Sequence, residues 1–181
     1  MVEDKFLIWK LRYGSKTALE QAYKKYKNSL LKLAAALLYN KNEAEDVVHE
    51  VFLMLARSPE VLSLNGNLKS FLATCVANRA KNINKSRQSN TINDLEETEL
   101  ISSNLKRNDQ WLLFDERMKL LITSMTQLPY EQREVIMLHI ESDMTFKAIA
   151  SYQNTSINTI QSRYRYGIEK LRSILNSEVQ K

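Results

Sequence analysis

The sequence predicts an all-α protein made of two small helical domains joined by a flexible acidic linker, with the second domain a helix-turn-helix domain. Three observations predict this fold. The 181 residues include only three glycines and two prolines, whereas average usage would supply roughly 22, which disfavours strands joined by tight turns. Hydrophobic residues make up 44% and recur at the helical spacing of three and four. A polar stretch over residues 88–110 lacks this periodicity and has the composition of a linker.

Charge divides the chain in the same way as periodicity. The formal net charge is +5. The predicted units are an N-terminal domain over residues 1–90, a linker over 91–110 and a C-terminal domain over 111–181. Counting charged side chains gives +7 for residues 1–92, −4 for 93–118 and +2 for 119–181. Two basic blocks favour a polyanionic partner, since each neutralised phosphate releases counterions. Solvated helix faces without a partner are the alternative.

The cysteine content and the distribution of apolar residues predict where in the cell the protein resides. Cys75 is the only cysteine, which excludes a disulfide scaffold and a cysteine-based metal cluster. The first residues lack a basic stretch followed by an apolar one, and no apolar run approaches the roughly 18 residues of a membrane span. The sequence therefore predicts a soluble, cytoplasmic protein that does not insert into a membrane.

No arrangement of residues favours catalysis. His49-Glu50 could begin a zinc-protease pair, but that chemistry needs a second histidine one turn later, where Leu53 stands. His139 lies between apolar neighbours, which indicates a packing position. The glycines are isolated, which excludes a glycine-rich phosphate loop. We therefore expect a protein that is not an enzyme and holds neither a metal nor a cofactor.

Three helices are predicted in the N-terminal domain, with one shared core. The first opens at Thr17 with Glu20 as its capping-box partner. The second begins at Asn42 and ends near Ser58-Pro59, because the residue before a proline leaves the helical region. The third changes character along its length: residues 78–88 contain four cations and three asparagines. These predict a basic, hydrogen-bonding extension, and the alternative is a fraying helix end whose cations complement the helix dipole.

Four helices are predicted in the C-terminal domain. The first restarts at Trp111, and the second starts at Leu128-Pro129, because proline is tolerated in a first turn. Thr145 caps a short third helix, and Ser156 caps a long final one.

The last two helices have the spacing of a helix-turn-helix. Ala150 is small where the helices cross, Asn154 suits a left-handed turn, and Ile160 fills the angle between them. The polar side of the last helix and its flanks contain Asn158, Thr159, Gln161, Ser162, Arg163 and Arg165. Such side chains read base edges or grip phosphates in the major groove. An ordinary helical hairpin with a polar outer face is the alternative.

Stretches of both blocks resemble the extracytoplasmic-function (ECF) sigma factors, the smallest members of the main bacterial sigma family. Residues 44–52, Ala-Glu-Asp-Val-Val-His-Glu-Val-Phe, are similar to the family's helix that docks on the clamp of core RNA polymerase. Residues 68–72 and 76–80 resemble the helix that opens the minus-ten element and holds an unstacked base. Similar to the family's promoter-binding C-terminal domain are residues 128–129, 132–135, 146–150 and 155–163. The resemblance covers about residues 17–175.

The resemblance implies three sets of site residues and no catalytic ones. The residues implied in binding core polymerase are Glu45, Asp46, His49, Glu50 and Phe52. Those implied at the minus-ten element are Phe71, Asn78, Lys81, Asn82, Lys85 and Arg87. Those implied at the minus-thirty-five element are Ser156, Asn158, Thr159, Gln161, Ser162, Arg163 and Arg165.

The chain departs from the family pattern at a few positions. His49 and Phe71 stand where glutamine and tryptophan are usual, and Asn154 replaces the turn glycine. Residues 82–84 replace an acid, an aromatic residue and a leucine. In the family, the connector threads towards the active-site and RNA-exit channels of the polymerase. The acids that would follow that path here are Asp94, Glu96, Glu97 and Glu99.

The partners that the resemblance implies are core RNA polymerase and promoter DNA, with an anti-sigma factor left open. A conventional DNA-binding regulator, with the first block as a sensor or dimerisation module, explains residues 145–166 equally well. It does not explain the acidic face of Glu45, Asp46 and Glu50 beside a basic helix. The two hypotheses differ in whether tight binding to duplex DNA requires core polymerase.

Overall fold

The computed structural model describes residues 2–62, 67–91 and 116–179, and over these ranges the chain is helical with no strand. The predicted all-α fold is confirmed. The N-terminal elements are α1 (Val2–Arg12), α2 (Lys16–Leu38), α3 (Lys41–Arg57), a 3₁₀ turn (Pro59–Val61) and α4 (Leu68–Thr91). The C-terminal elements are α5 (Glu116–Met125), α6 (Tyr130–Ser142), α7 (Phe146–Gln153) and α8 (Ile157–Val179).

The start of the predicted linker is helical. Because α4 continues to Thr91, residues 88–91 belong to that helix. The rest of the predicted linker, residues 92–110, lies outside the described residues together with its acidic side chains. The predicted restart at Trp111 lies outside them too, and the next helix is described from Glu116.

Side-chain caps set the starts of α2 and α3, and both caps differ from those predicted. Ser15 Oγ accepts a hydrogen bond at 3.3 Å from the backbone amide three residues ahead. Asn40 Oδ1 does the same at 3.3 Å for α3. Thr17 and Asn42 therefore lie inside the first turns, because an earlier polar residue already satisfies the free amides.

The sequence analysis missed α1, which packs against α2 and the 3₁₀ turn. Asp4 accepts hydrogen bonds from Lys25 Nζ at 2.8 Å and from the Tyr26 hydroxyl at 2.6 Å. Burial raises the pKa of Asp4, but these hydrogen bonds outweigh it and lower the pKa below its ordinary value. The buried side chains of α1 are Leu7, Ile8 and Leu11.

The end of α2 is the centre of the N-terminal domain. Five consecutive side chains, from Ala34 to Leu38, are at most 2% exposed. A helix buried all round needs neighbours on every side. Helices α3 and α4 cover α2 from within its own domain, and α6 covers it from the C-terminal domain.

Helix α6 has the same central place in the C-terminal domain, where four consecutive residues, 135–138, are buried. Helix α8 crosses it at Gly167. A Cβ atom at that position would lie 2.7 Å from Ile136 Cδ1 and 3.2 Å from Gln132 Cβ. The absence of a side chain at Gly167 is therefore what allows the two helices to approach so closely.

The two domains pack on each other where α2 ends. The Tyr39 hydroxyl donates to the Met125 carbonyl at 3.3 Å, and the Arg133 guanidinium lies 4.3 Å from the Tyr39 ring centroid. Arg133 is 8% exposed, and burial lowers its pKa to about 10. The aromatic ring thus offers a buried cation a favourable surface.

Two ion pairs flank this contact between the domains. Lys32 pairs with Glu141 at 3.6 Å, and Lys69 pairs with Asp143 at 2.5 Å. The sequence analysis predicted two helical domains. It made no prediction about the contact between them.

Candidate nucleic-acid interface

Helices α7 and α8 form the helix-turn-helix that the spacing predicted. Thr145 Oγ1 caps α7 by accepting from the Ala148 amide at 3.2 Å. The turn passes through Asn154, whose φ of 50° is left-handed. Asparagine tolerates this region better than most residues. Ala150 and Ile160 are 5% and 0% exposed, so both predicted packing positions are correct.

The first turn of α8 is capped as predicted and presents polar side chains to solvent. Ser156 Oγ accepts from the Thr159 amide at 3.0 Å and lies 2.8 Å from the Thr159 hydroxyl. These two hydroxyl groups therefore shape the helix start. Asn158 and Gln161 are exposed one turn apart, where they could enter a major groove.

The two arginines of this face differ in how they are held. Arg163 Nη1 donates to Gln153 Oε1 at 2.7 Å, and Gln153 Nε2 donates to Glu134 Oε2 at 2.6 Å. Gln153 of α7 therefore links the Arg163 side chain to the buried Glu134. Arg165 is exposed, and its guanidinium lies 4.9 Å from the centroid of the neighbouring Tyr166 ring.

Glu134 is a buried carboxylate beneath the helix-turn-helix, 2% exposed. Burial raises its pKa, while hydrogen bonds from Tyr152, Gln153 and Tyr130 and the charge of Lys81 act against the rise. The same site raises the pKa of Tyr130 and Tyr152, through burial and then the charge of Glu134. The sequence analysis missed this cluster, since its residues are spread over α4, α6 and α7.

Helix α4 continues without a break through its basic half. Asn78, Lys81, Asn82 and Lys85 are exposed at spacings of three and four, so they share one face. The minus-ten residues of the sequence analysis thus form a common surface, with two exceptions. Phe71 is partly buried and packs against the core.

Arg87 is the second exception, because it turns towards the end of α2. It pairs with Glu43, and its Nη1 donates to the Leu38 carbonyl at 3.4 Å. Asn84 Nδ2 donates to the adjacent Leu37 carbonyl at 3.0 Å. Together these side chains satisfy carbonyls that a helix end leaves without partners.

The C-terminal domain covers part of the α4 face. The Tyr152 hydroxyl lies 3.2 Å from Asn78 Oδ1 and 3.1 Å from Glu134 Oε1. The positive charge of Lys81 in turn acts to lower the pKa of Glu134. Asn78 is therefore exposed but has its side-chain oxygen engaged by Tyr152 of the C-terminal domain.

The acidic face of α3 is exposed but partly engaged within the chain. Asp46 is exposed. Glu50 accepts two hydrogen bonds from Arg79, at 2.6 and 3.2 Å, and these raise the pKa of Arg79. His49 Nε2 lies 2.9 Å from the Tyr23 hydroxyl, and Glu45 lies 3.7 Å from Lys41.

Two apolar residues of α3 differ from what the core-polymerase hypothesis for this face expects. Phe52 is 6% exposed and packs edge-on against Tyr23, so its side chain positions the helix from inside. Leu53 is 55% exposed, although the sequence analysis did not count it as a site residue. It follows Asp46 by seven residues and His49 by four, which places all three on one face.

No other chemistry emerges from the part of the chain that the structure describes. No group of three or more histidine, cysteine, aspartate or glutamate side chains there could hold a metal ion. Burial raises the pKa of the Cys75 thiol to about 11, which keeps it protonated. No helix in the described ranges is long and apolar enough to cross a membrane.

Comparisons with known proteins show which family regions the two domains contain. The family models Sigma-70 region 2 and Sigma-70, region 4 match residues 22–90 and 118–171. The chain is 23% identical over 169 residues to the RNA polymerase sigma-H factor of Pseudomonas aeruginosa, a match that covers 89% of this chain and 88% of that protein.

Solved structures share the fold. CnrH, in complex with the cytosolic domain of CnrY, is similar with a TM-score of 0.69 and 16% identity, over 96% of this chain and 97% of that chain. The sigma factor RpoE of Bartonella quintana, in complex with the anti-sigma factor NepR, is similar with a TM-score of 0.66 and 18% identity. That likeness covers 87% of this chain and 96% of RpoE.

A helix-turn-helix domain follows a helical domain with a basic helix, an arrangement typical of proteins that bind DNA. The two family regions together span more than half of the chain, in the order and positions of these domains. The chain therefore belongs to the sigma-70 family: it is a sigma factor, which directs promoter recognition by RNA polymerase.

Proposed function

We propose that this sigma factor is of the extracytoplasmic-function type, acts in the cytoplasm, and both reads and opens promoter DNA as part of an RNA polymerase holoenzyme. The observation that supports this most is the pairing of two exposed faces in one chain. Helix α4 presents an asparagine- and lysine-rich face, and α8 presents a polar face at the end of a helix-turn-helix.

Helix α3 is the proposed docking surface for the polymerase clamp. Asp46 supplies an exposed negative charge, and Leu53 supplies an apolar centre on the same face. Charged rims around apolar centres are common in protein interfaces. Glu45, His49 and Glu50 shape the rim, and Phe52 holds the helix from inside.

Helix α4 is the proposed minus-ten surface. In this proposal Lys81 and Lys85 contact phosphates, Asn82 contacts a base edge, and Asn78 does so once Tyr152 has moved away. Phe71 and Arg87 act indirectly in this proposal, since one packs on the core and the other holds the end of α2.

Helix α8 is the proposed minus-thirty-five reader. Its N-terminus, capped by Ser156, points free amides towards the DNA, where an anionic phosphate is favourable. Asn158 and Gln161 are the proposed base readers, because amides can pair bidentately with adenine. Arg165 contacts a phosphate in this proposal, and Ser162 lies on the same face. Beside this face lie Thr159 and Arg163.

An anti-sigma factor is the proposed regulatory partner. Support comes from the fold shared with RpoE, which was solved with the anti-sigma factor NepR. A protein that covers the α3 and α4 faces would compete with both polymerase and promoter.

The direct test is run-off transcription on genomic fragments with purified core polymerase. We expect specific transcripts only when the chain is added. Core polymerase that gives the same transcripts without the chain, or no specific transcript with it, would contradict the proposal. A variant with Asn158 and Gln161 both changed to alanine should still form holoenzyme but lose specific starts.

Duplex binding by the free chain tests whether tight promoter recognition requires the holoenzyme. The contact of Tyr152 with Asn78 favours the sigma mechanism, since the α4 face is partly covered until the domains separate. We therefore expect weak duplex binding by the chain alone and tight binding by the holoenzyme. Equal affinity in both forms would contradict the proposed dependence on core polymerase.

A further inference from the structure

A series of hydrogen bonds behind α8 leads from the Arg163 side chain to a buried carboxylate. Arg163 Nη1 donates to Gln153 Oε1 at 2.7 Å, and Gln153 Nε2 donates to Glu134 Oε2 at 2.6 Å. Arg163 is half-buried, and Glu134 is 2% exposed. We call these three residues the arginine network. It joins α6, α7 and α8, and the function described above uses neither Gln153 nor Glu134.

The Gln153 amide has one possible orientation in the arginine network. Because a guanidinium only donates hydrogen bonds, the amide oxygen must face Arg163. The amide nitrogen then faces Glu134, whose oxygen accepts. The two ends of the network therefore fix the amide between them, and Arg163 loses rotational freedom before any DNA is bound. A side chain that is ordered in advance loses less entropy when it binds a partner.

Two tyrosines hold the carboxylate end of the arginine network. The hydroxyl groups of Tyr152 and Tyr130 donate to Glu134 Oε1 at 3.1 and 3.4 Å. Both oxygens of Glu134 thus have partners, which a buried carboxylate requires. The Tyr152 hydroxyl has a single hydrogen, for which Asn78 Oδ1 competes at 3.2 Å. Separation of the domains would leave that hydrogen to Glu134, so the network does not depend on the closed arrangement.

The neutral amide between the two charged groups leaves the positive charge of Arg163 available to an anion. Over the described part of the chain, Arg163 has no carboxylate partner of its own. A direct ion pair would have offset much of its attraction for a phosphate. Gln153 uses one of several N–H donors of the guanidinium, so others are available for a further contact.

We propose that Gln153 and Glu134 are positioning residues for Arg163, which they hold in place to contact one phosphate of the minus-thirty-five DNA. The proposal rests on the proposed function for the placement of α8 on this DNA. A phosphate contact fixes the orientation of a helix in the groove but carries no sequence information. The arginine network therefore sets the affinity for every promoter, while base reading is left to Asn158 and Gln161.

A double-mutant cycle in the holoenzyme tests whether Gln153 acts through Arg163. On a panel of minus-thirty-five sequences, Arg163→Ala should weaken binding to every promoter about tenfold or more, because a charge-assisted hydrogen bond is lost. Gln153→Met keeps the size of the side chain without its hydrogen bonds, and should weaken binding about threefold to tenfold. The double variant should bind no more weakly than Arg163→Ala alone. Additive losses, or loss of preference at a single base pair, would overturn the proposal.

Two substitutions of Glu134 separate positioning from a general effect on the fold. Glu134→Gln retains an oxygen that accepts from Gln153 and should keep most of the promoter affinity, whereas Glu134→Met has no acceptor and should lose as much as Gln153→Met. Gln127→Met, the same change at an exposed glutamine of the C-terminal domain, is the matched control and should bind normally. Equal affinities of the two Glu134 variants, or equal losses in Gln153→Met and Gln127→Met, would overturn the proposal.

The mobility of the Arg163 side chain separates this proposal from the proposed function, because its measurement needs no DNA. In the free chain, NMR relaxation of the Arg163 Nε–H group, assigned with Arg163→Lys, should show an ordered side chain in the unaltered protein and in Gln127→Met. Gln153→Met should make it mobile. Equal mobility in all three proteins would overturn the proposal. If the unaltered holoenzyme does not distinguish minus-thirty-five sequences, the proposed function fails, while the relaxation data still decide whether Gln153 positions Arg163.

Discussion

At the scale of single residues, a side chain's partners decide which of the predicted contacts it is able to make. On α8, Gln161 is exposed, whereas Arg163 is held by Gln153. On α3, Asp46 is exposed, whereas Glu50 is paired with Arg79. Side chains without an internal role are the better candidates for direct recognition, and two predictions follow this distinction.

Gln161→Ala is expected to cost about 1–3 kcal/mol in binding to the preferred promoter and to relax preference at one base pair. The reason is that an amide reads a base edge by paired hydrogen bonds. Arg165→Ala should instead weaken all promoters about equally and lower the salt slope by about one. Holoenzyme titrations over a panel of minus-thirty-five sequences measure both effects. If Gln161→Ala weakens binding to every promoter equally, Gln161 contributes affinity without sequence specificity.

Asp46→Lys is expected to prevent holoenzyme assembly while leaving helical content and thermal unfolding nearly unchanged, because the side chain is exposed. Co-purification with core polymerase and circular dichroism provide the two measurements. Glu20→Lys, an equal charge change at an exposed position of α2, is the matched control and should assemble normally. Normal assembly of Asp46→Lys would exclude this face from docking.

At the scale of elements, each helix is fixed by its neighbours as much as by its own pattern. Helix α4 is uninterrupted from Leu68 to Thr91, and Asn84 and Arg87 attach its basic half to the end of α2. Its cations nevertheless divide into two groups, because Arg87 contacts α2 while Lys81 and Lys85 face outward.

Changing both Lys81 and Lys85 to glutamine is expected to slow open-complex formation and lower the magnitude of its salt slope by at most about 2, since two phosphate contacts are lost. Permanganate footprinting across a salt series measures this. Arg87→Gln should behave differently, with reduced thermal stability and a nearly unchanged slope. If Arg87→Gln changes the slope as much as the lysines do, Arg87 leaves Glu43 to contact DNA.

Gly167→Leu is expected to lower the free energy of unfolding by about 1–3 kcal/mol, because a larger side chain overpacks the crossing of α8 and α6. Urea denaturation measures the change. Gly167→Ala should be nearer to neutral, since alanine gains about 1 kcal/mol of helix propensity and the terminal methyl of Ile136 is able to rotate. An unchanged stability of Gly167→Leu would show that the helices separate at little cost.

At the scale of the whole molecule, the two domains form a closed arrangement. Arg133 packs on Tyr39 and Tyr152 lies against Asn78, so the proposed minus-ten face and the helix-turn-helix domain share a border. Separation of the domains would release the Asn78 side chain from Tyr152.

Limited proteolysis is expected to cut within residues 92–110, whose composition is polar and lacks helical periodicity. The two fragments should stay together in gel filtration, because α6 packs against α2 and α4. Adding Tyr39→Ala and Lys69→Glu should let the fragments separate, since these substitutions remove the ring under Arg133 and reverse one ion pair. A protected segment with cuts elsewhere would contradict the two-domain organisation.

The sequence by itself determined the local features of this protein. Helix-turn-helix spacing, the caps Thr145 and Ser156, the left-handed Asn154 and the polar face of α8 all depend on residues close together in the chain. The shared face of Asp46 and Glu50 on α3 and the basic, asparagine-rich character of α4 are likewise local. Periodicity missed α1, because three large aromatic side chains there point to solvent instead of to the core.

The tertiary structure alone decided which of these faces is available. The burial of Phe52, the pairing of Glu50 with Arg79, the turn of Arg87 towards α2 and the cluster around Glu134 join residues distant in sequence. The packing of α6 on α2 also joins segments that are distant in sequence. Local pattern places a side chain on one side of its helix, but its partners depend on which helices come together, and that depends on the burial of apolar surface over the whole chain.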